Sequence, residues 1–577
     1  MKLTVRTVPP RAAWALEQAG IHPLLARLYA GRGVTRADEL DPGLGKLLPP
    51  SALLGAEQAA ALLADAIAQD RHLCIVADYD CDGATACAVG LRGLRLLGAR
   101  QTSYLVPNRV ADGYGLTPAI AERVAATGAN VLITVDNGIA SVAGVARAQE
   151  LGLQVLVTDH HLPGLQLPAA DVIVNPNQPG CSFPSKALAG VGVMFYVLLA
   201  LRSELRRRGV FSREAQPRLD TLLPLVALGT VADVVPLDAN NRRLVAQGLQ
   251  RIRSGHMPRG LAALFAVAGR DWRRAATADF GFALGPRINA AGRLADMAVG
   301  ILLLTSDDAT QASELAATLD HINRQRRSVE GDMDERAREL AEALFAGSST
   351  PPPALAVFQP DFHEGVVGIV ASRLKERWHR PVFVFARSGA AGQSGTLKGS
   401  GRSIPGFHLR DALDLMAKRN PDILSTFGGH AMAAGCSIAE AQWPQFQQAF
   451  AQVAGELLDA ASLTRELQTD GALPARYRRV DLVQALQGEV WGQGFAPPTF
   501  SETVEVISQR LVGEHHLKLR LRHQGEEVDG IWFRRVTPLP RDAHLAFRPE
   551  VNEWRGQQSV QFVIEGQATP AAQAIRS

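Results

Sequence analysis

The chain is poor in cysteine, in net charge and in long apolar runs. Its five cysteines (Cys74, Cys81, Cys87, Cys181, Cys436) form no C-x-x-C pair and no zinc-ligand spacing. That excludes a disulfide-stapled scaffold and a structural zinc module, and an odd, sparse set suits a reducing compartment. Net charge is only +3 over 577 residues, so there is no global basic field and any nucleic-acid binding must come from local patches. Candidates are Arg206-Arg207-Arg208, Arg324 with Arg326 and Arg327, Arg373 with Lys375 and Arg377, and Lys518 with Arg520 and Arg522. No run of about 18 apolar residues occurs and the N-terminus has no continuous apolar segment, so the expectation is a cytoplasmic protein with no membrane partner. What is present is ordinary globular material, 47% apolar and 20% charged, in a chain too long for one core.

The most informative feature is a set of acids placed where apolar runs stop. Leu73–Ala77 leads into Asp78-Tyr79-Asp80-Cys81-Asp82-Gly83. Alternate residues of an extended chain project to the same side, so Asp80 and Asp82 converge on one point. Carboxylates so close repel each other, and a divalent cation makes their joint ionisation tolerable. The arrangement recurs: Val131–Val135 ends in Asp136-Asn137-Gly138, and Val155–Thr158 ends in Asp159-His160-His161. Asp233 follows the apolar stretch Leu222–Val231, read here as another β-type run, on a turn in a mostly helical region. Ligands of open α/β sheets bind at the carboxyl ends of the strands, so these acids and His160 are expected to meet at one metal site. A single strand-end Asp is more often a helix cap or turn former; five in this order are not five independent caps.

D-x-D-x-D-G, Val-Asp-Asn-Gly, Asp-His-His and Val-Ala-Asp-Val-Val resemble the four motifs of the DHH phosphoesterase superfamily. Longer strings resemble its RecJ family of single-stranded-DNA-specific 5′→3′ exonucleases: Pro107-Asn108-Arg109, Asp112-Gly113-Tyr114-Gly115, Arg287-Ile288-Asn289-Ala290-Ala291-Gly292-Arg293, His363-Glu364-Gly365, Gly399-Ser400-Gly401-Arg402-Ser403 and Gly428-Gly429-His430. The resemblance implies two Mn²⁺ or Mg²⁺ ions held by Asp80, Asp82, Asp136, His160 and Asp233. Asp136, the only acid in its loop and central in motif order, is the candidate bridging ligand. Oxygen-rich ligation with one imidazole suits these ions, and two of them can hold the attacking and leaving oxygens of a phosphodiester. Asp78, Asp159 and His161 are left as catalytic groups beside the metals or the substrate, with Asp159 expected to orient the ligating histidine. Arg109 and Tyr114 are candidates to hold a phosphate and stack on a base. Arg287, Asn289 and Arg293, in a stretch read as a Gly/Asn-rich loop, join the DNA-binding set by resemblance. So do Ser372, Arg373, Ser400, Arg402 and Gly428-Gly429-His430, where the two glycines are expected to form a nest of N–H donors.

The fold class expected is α/β. Residues 1–50 read as an N-terminal lead-in. Residues 51–305 read as the DHH catalytic domain: strand-like and helix-like segments alternate through Asn175, implying a parallel sheet, and residues 185–250 are mostly helical. Residues 306–347 lack proline and carry leucines and alanines at helical spacing, a bridging helix of about 60 Å if uninterrupted at Gly331. Residues 348–460, opened by Ser348-Ser349-Thr350-Pro351-Pro352-Pro353, match a smaller α/β DHHA1 domain in outline. Residues 461–577 offer five strands and suggest an OB-like β-barrel, a frequent single-strand binder. The function implied is hydrolysis of single-stranded DNA to 5′-mononucleotides in repair and recombination, by a monomer that works with single-stranded-DNA-binding protein and a RecQ-type helicase. A DHH/DHHA1 phosphodiesterase for short oligonucleotides or cyclic dinucleotides is disfavoured by the β-rich extension. A non-catalytic single-strand binder is disfavoured by the filled ligand positions.

Overall fold

The structure, a computed structural model, describes residues 1–109, 112–346, 351–389 and 395–568; Ser348-Ser349-Thr350 lie outside the described residues. The chain divides into two compact units: residues 3–320 with 468–577, and residues 321–467 with Met1–Lys2.

In the first unit, five parallel strands stand in the order β2-β1-β3-β4-β5: β1 Leu73–Ala77, β2 Thr102–Leu105, β3 Val131–Val135, β4 Gln154–Thr158 and β5 Val172–Val174. Every residue of β1 and β3 is buried, as continuous Val/Ile/Leu runs require when helices cover both faces. The order reverses beside β1, and the crevice between β1 and β3 is the topological switch point where such sheets bind ligands. The strand ends are level: Ala77 pairs with Val135 and Val135 with Thr158. The ladder runs one residue further, because the N–H groups of Asp78, Asp136 and Asp159 donate to Val135, Thr158 and Val174. Three acids thus finish side by side at one sheet edge. Helix α1 (Cys81–Leu96) packs against α2 (Gly190–Arg207) and α3 (Leu223–Ala232).

Two sequence readings are corrected. Leu222–Val231 is not a β-type run: it lies in α3 and the turn before it, buried through Thr230, and Asp233 stands on a turn between helices, as the helical reading of this region expected. A short apolar run looks the same in a buried helix and a buried strand. Pro286–Arg293 is no loop but helix α4 (Gly285–Leu294). Proline is harmless in a first helical turn, whose N–H needs no partner, so it opens α4 rather than breaking it. Beyond these readings, the lead-in packs into the core of its unit. Its helices bury Leu16, Leu24, Leu28 and Tyr29 in the same core as Leu473, Leu486, Trp491 and Phe495. The strand Lys2–Val5 pairs with Glu466–Thr469.

Helix α5 (Ala309–Ala343, 35 residues) continues through Gly331 and spans about 52 Å at ~1.5 Å per residue; the division between the units falls within it. The second unit holds a sheet ordered β9-β10-β8-β7-β6: β6 Leu355–Phe358, β7 Val382–Arg387, β8 Thr396–Arg402, β9 Thr426–Gly429 and β10 Ala433–Ala439. Helix α6 (Val367–Trp378) lies on β7 and β8. Phe383, Phe385, Phe446 and Phe450 fill its core. In the first unit again, residues 500–567 close a barrel, β11-β12-β13-β15-β14, from β11 Phe500–Val512, β12 His516–His523, β13 Glu526–Trp532, β14 Asp542–Trp554 and β15 Gln557–Gln567. Among the described residues no single helix is long and apolar enough to cross a membrane.

Candidate metal centre

The ligand candidates arrive from four directions. Asp80 ends the turn after β1, capping α1 by accepting the Gly83 N–H at 3.0 Å. Asp82, in the first turn of α1, accepts the N–H groups of Gly190 (2.6 Å) and Val191 (2.9 Å). These belong to the first turn of α2, whose helix dipole steadies the carboxylate. Asp136 follows β3 with φ +62°, and Val234, beside Asp233 at the end of α3, has φ +64°. A β-branched residue in that region is strained, a cost that clusters at functional sites. Glycine is required nearby: a Cβ on Gly190 would lie 2.6 Å from the Asp136 Cβ, and one on Gly292 would lie 1.8 Å from the Tyr79 carbonyl.

His160 stands at the centre. Its Nε2 lies 3.0 Å from Asp136 Oδ1, 3.6 Å from Asp233 Oδ2 and 3.9 Å from Asp82 Oδ2. Asp136 Oδ1 and His160 Nε2 are both buried, and neither has a hydrogen-bond partner. Burial, and then the neighbouring His161, push His160 down to about 4, so its ring is neutral. The two atoms are close and buried, yet each is left unsatisfied. A buried polar atom without a partner is costly, and a cation between such atoms removes that cost. Asp82, His160 and Asp233 converge as one donor group, Asp78, Asp80 and Asp136 as another, and Asp136, His160 and His161 as a third. Burial and mutual repulsion hold Asp82 up at about 7 and Asp78 at about 8, and push Asp136 and Asp233 well above the carboxylate range. Carboxylate oxygens with one imidazole fit a hard divalent cation.

Asp159 takes no part in that convergence. Its Oδ1 accepts the backbone N–H groups of His160 and His161 and faces His161 Nδ1 at 2.8 Å, while Oδ2 accepts the Ile139 N–H. It therefore orients His161 and not, as expected, the ring of His160. Burial alone would lower His161, but the Asp159 hydrogen bond and charge hold it up at about 9. Tyr114 stands over His161 and Tyr79, centroids 6.1 and 6.0 Å away, and its hydroxyl donates to the Asp136 carbonyl at 3.3 Å. Arg109 lies 4.2 Å above the Tyr79 ring.

Other expected contacts have structural partners. Arg287 is buried and donates to Asp320 (3.0 Å) and to the Ala283 carbonyl (2.7 Å). It ties α4 to α5. Asn289 Oδ1 accepts the Cys81 N–H at 2.7 Å and so braces the acidic turn. Arg293 ends α4. In the second unit Arg402 donates to Ser400 Oγ (3.1 Å), and both press on Gly368 of α6. Ser372 Oγ donates back to the Gly368 carbonyl at 3.1 Å, and Arg373 pairs with Glu330 and Asp334. Gly428 and Gly429 are residues of edge strand β9 and His430 closes the hairpin on Ala433, so the expected nest is a strand end. Two basic patches are neutralised: Arg207 and Arg208 bind Glu204, and the β12 stripe Lys518, Arg520 and Arg522 pairs with Asp529, Glu527 and Glu505. Sequence reasoning passed over Tyr79, Gly190 and Asn137, whose Nδ2 donates to the carbonyls of Val76 and Val135. Only Asn137 left a signal, inside the Asp-Asn-Gly string.

Comparison with known proteins agrees with this geometry. Residues 72–230 match the DHH family N-terminal domain, 352–456 the DHHA1 domain and 469–566 the RecJ OB domain. The single-stranded-DNA-specific exonuclease RecJ of Salmonella typhimurium is 49% identical over 557 residues, covering 95% of this chain and 96% of that protein. That of Thermus thermophilus is 34% identical, covering 96% and 76%. The crystal structure of RecJ from Thermus thermophilus in complex with Mn²⁺ superposes with a TM-score of 0.81 at 30% identity, over 99% of this chain and 80% of that one. Its counterpart with Mg²⁺ gives 0.74 at 29%, over 99% and 78%. Identity of this order, sustained through all three domain matches and nearly the full length, establishes that the chain belongs to the RecJ family.

Proposed function

We propose that the protein is a metal-dependent exonuclease that hydrolyses single-stranded DNA from the 5′ end to 5′-mononucleotides. A hydrolytic nuclease specific for single-stranded DNA is the activity of its named relatives. The observation that carries the reading is the convergence of Asp136 Oδ1 and His160 Nε2, 3.0 Å apart and without hydrogen-bond partners.

Asp80, Asp82, Asp136, His160 and Asp233 would hold two Mn²⁺ or Mg²⁺ ions, and membership of Asp136 in two donor groups supports its bridging role. When bound, such ions lower the pKa of water and neutralise charge on the phosphodiester. The remaining work falls to the chain's own residues. Asp159 keeps His161 protonated, so the imidazolium has an N–H to offer a phosphate oxygen or the leaving group. Stacking on Tyr79 fixes Arg109, with Tyr114 nearby, where a terminal 5′-phosphate would be gripped by charge-assisted hydrogen bonds. In the second unit, Ser372, Arg373, Ser400, Arg402 and Gly428-Gly429-His430 remain proposed strand contacts. Roles in repair and recombination, loading by single-stranded-DNA-binding protein or a RecQ-type helicase, a monomeric state and a cytoplasmic location belong to the same proposal. The test is Mn²⁺-dependent digestion of an end-labelled 40-mer beside a dinucleotide. Mononucleotides released first from the 5′ end are expected. Preference for the dinucleotide, or release from the 3′ end, overturns the reading.

A further inference from the structure

One large aromatic near the metal centre has no structural employment. Phe282 lies in a π-helical turn, Phe280–Leu284, directly before α4. Its neighbours Phe280 and Leu284 are buried, whereas Phe282 is 78% exposed. Single π-turns are rare and occur mostly at functional sites. This one packs against α3: a Cβ on Gly285 would lie 3.1 Å from the Ala232 Cβ, one residue before Asp233. Further along, Asn289 accepts the Cys81 N–H and Gly292 abuts the Tyr79 carbonyl. Gly285, Asn289 and Gly292 recur three or four residues apart and share one face of α4. That face is turned to the acidic turn and to the end of α3. Phe282, three residues before Gly285 in the π-turn, stands out into solvent beside that face. Val234, just past Asp233 at the end of α3, is 62% exposed as well.

We propose that Phe282 is a positioning residue whose ring stacks on an unpaired base of the bound strand beside the metal centre. The inference rests on the nuclease reading and deepens it. Only an unpaired base presents a free π-face, so the contact would contribute to selection of single strands. Base–aromatic stacking is sequence-tolerant because every base has such a face. Exposure of a bare phenyl ring is unfavourable in the free protein, and covering it with a base removes that cost.

The test compares wild type, Phe282→Ala and Phe282→Trp. Affinity for a 3′-labelled single-stranded 20-mer is read by fluorescence anisotropy in EDTA, which separates binding from cleavage. A second set of 20-mers carries one abasic site, scanned over the first nucleotides. Phe282→Ala should weaken binding about five- to a hundred-fold, the range of one lost stack. Phe282→Trp should bind as well as wild type. One abasic position should weaken wild type and leave Phe282→Ala unchanged, and KM in Mn²⁺ should rise in Phe282→Ala with kcat held within about two-fold. Unchanged affinity of Phe282→Ala overturns the inference. So does an abasic penalty identical in wild type and variant at every position, or an equal loss in both variants. A wild type that binds the 20-mer but digests no single strand overturns the nuclease reading while the stacking comparison still stands or falls by itself.

Discussion

The sheet edge and the barrel wall both crowd charge into a small area, and they treat it in opposite ways. Behind β1, β3 and β4, carboxylates of one sign are buried around a neutral histidine, and two facing atoms lack partners. On β12 the cations Lys518, Arg520 and Arg522 alternate along one face, and each forms an ion pair with an acid on β11 or β13. Like charges without partners mark a place waiting for a counter-ion; interleaved opposite charges mark a face already satisfied. Density of charge therefore identifies nothing until its pairing is known.

The sharpest way to break that comparison is Asp136→Ala. Loss of a ligand that contributes several kcal/mol of charge stabilisation should slow cleavage by about a thousand-fold or more. Calorimetric uptake of Mn²⁺ should fall with it, while single-strand binding persists. In EDTA the variant should melt higher than wild type, because one repelled, buried carboxylate is gone. Activity above a few per cent in saturating Mn²⁺ would remove Asp136 from the bridging position.

Next in size is the buttress joining the N-terminal helices to residues 468–499. Trp491 stacks on Tyr29 (5.7 Å) and on Phe495 (5.4 Å), and its indole N–H donates to the Leu486 carbonyl at 2.6 Å. Trp491→Ala should cost about 3–5 kcal/mol in urea unfolding, as buried aromatic truncations do. A cost under about 1 kcal/mol would show the lead-in to be dispensable after all.

Gly292→Ala should cost about 1–3 kcal/mol by overpacking against the Tyr79 carbonyl, and it should lower kcat by shifting the acidic turn. Unfolding and kinetics on one preparation check both, and an unaltered kcat would mean that the turn is braced elsewhere.

The smallest effect is expected at the barrel. Replacing Lys518, Arg520 and Arg522 together by alanine should change stability by no more than about 1 kcal/mol per exposed pair. The log–log salt dependence of single-strand binding should move by less than about 0.7, the value of one phosphate contact. A flattening of about 2, three such contacts, would show that these side chains leave their acids for DNA.

Much of this was legible beforehand because it is local. An apolar run ending in acids needs only the two-residue period of a strand and the carboxyl-end rule, which is why Asp80, Asp82, Asp136 and His160 were placed together from sequence. The five barrel strands were legible from the same alternation, though the barrel's closure extends pairing beyond the alternating core, as in β11 and β14. Where period is silent, the reading failed: α3 looked like a strand because it is buried on every side, and α4 looked like a loop because it begins with proline and contains glycine.

The sequence by itself determined the identity and order of the acids, the parallel-sheet unit and a long proline-free helical stretch, since composition and period act over a few neighbouring residues. Only the tertiary structure decided which side chains are satisfied. Arg287 is engaged by Asp320, Asp159 by His161 rather than His160, and the β12 cations by strands β11 and β13. Pairing joins residues far apart in the chain, and no local pattern records which partner will be within hydrogen-bond distance once the chain has closed.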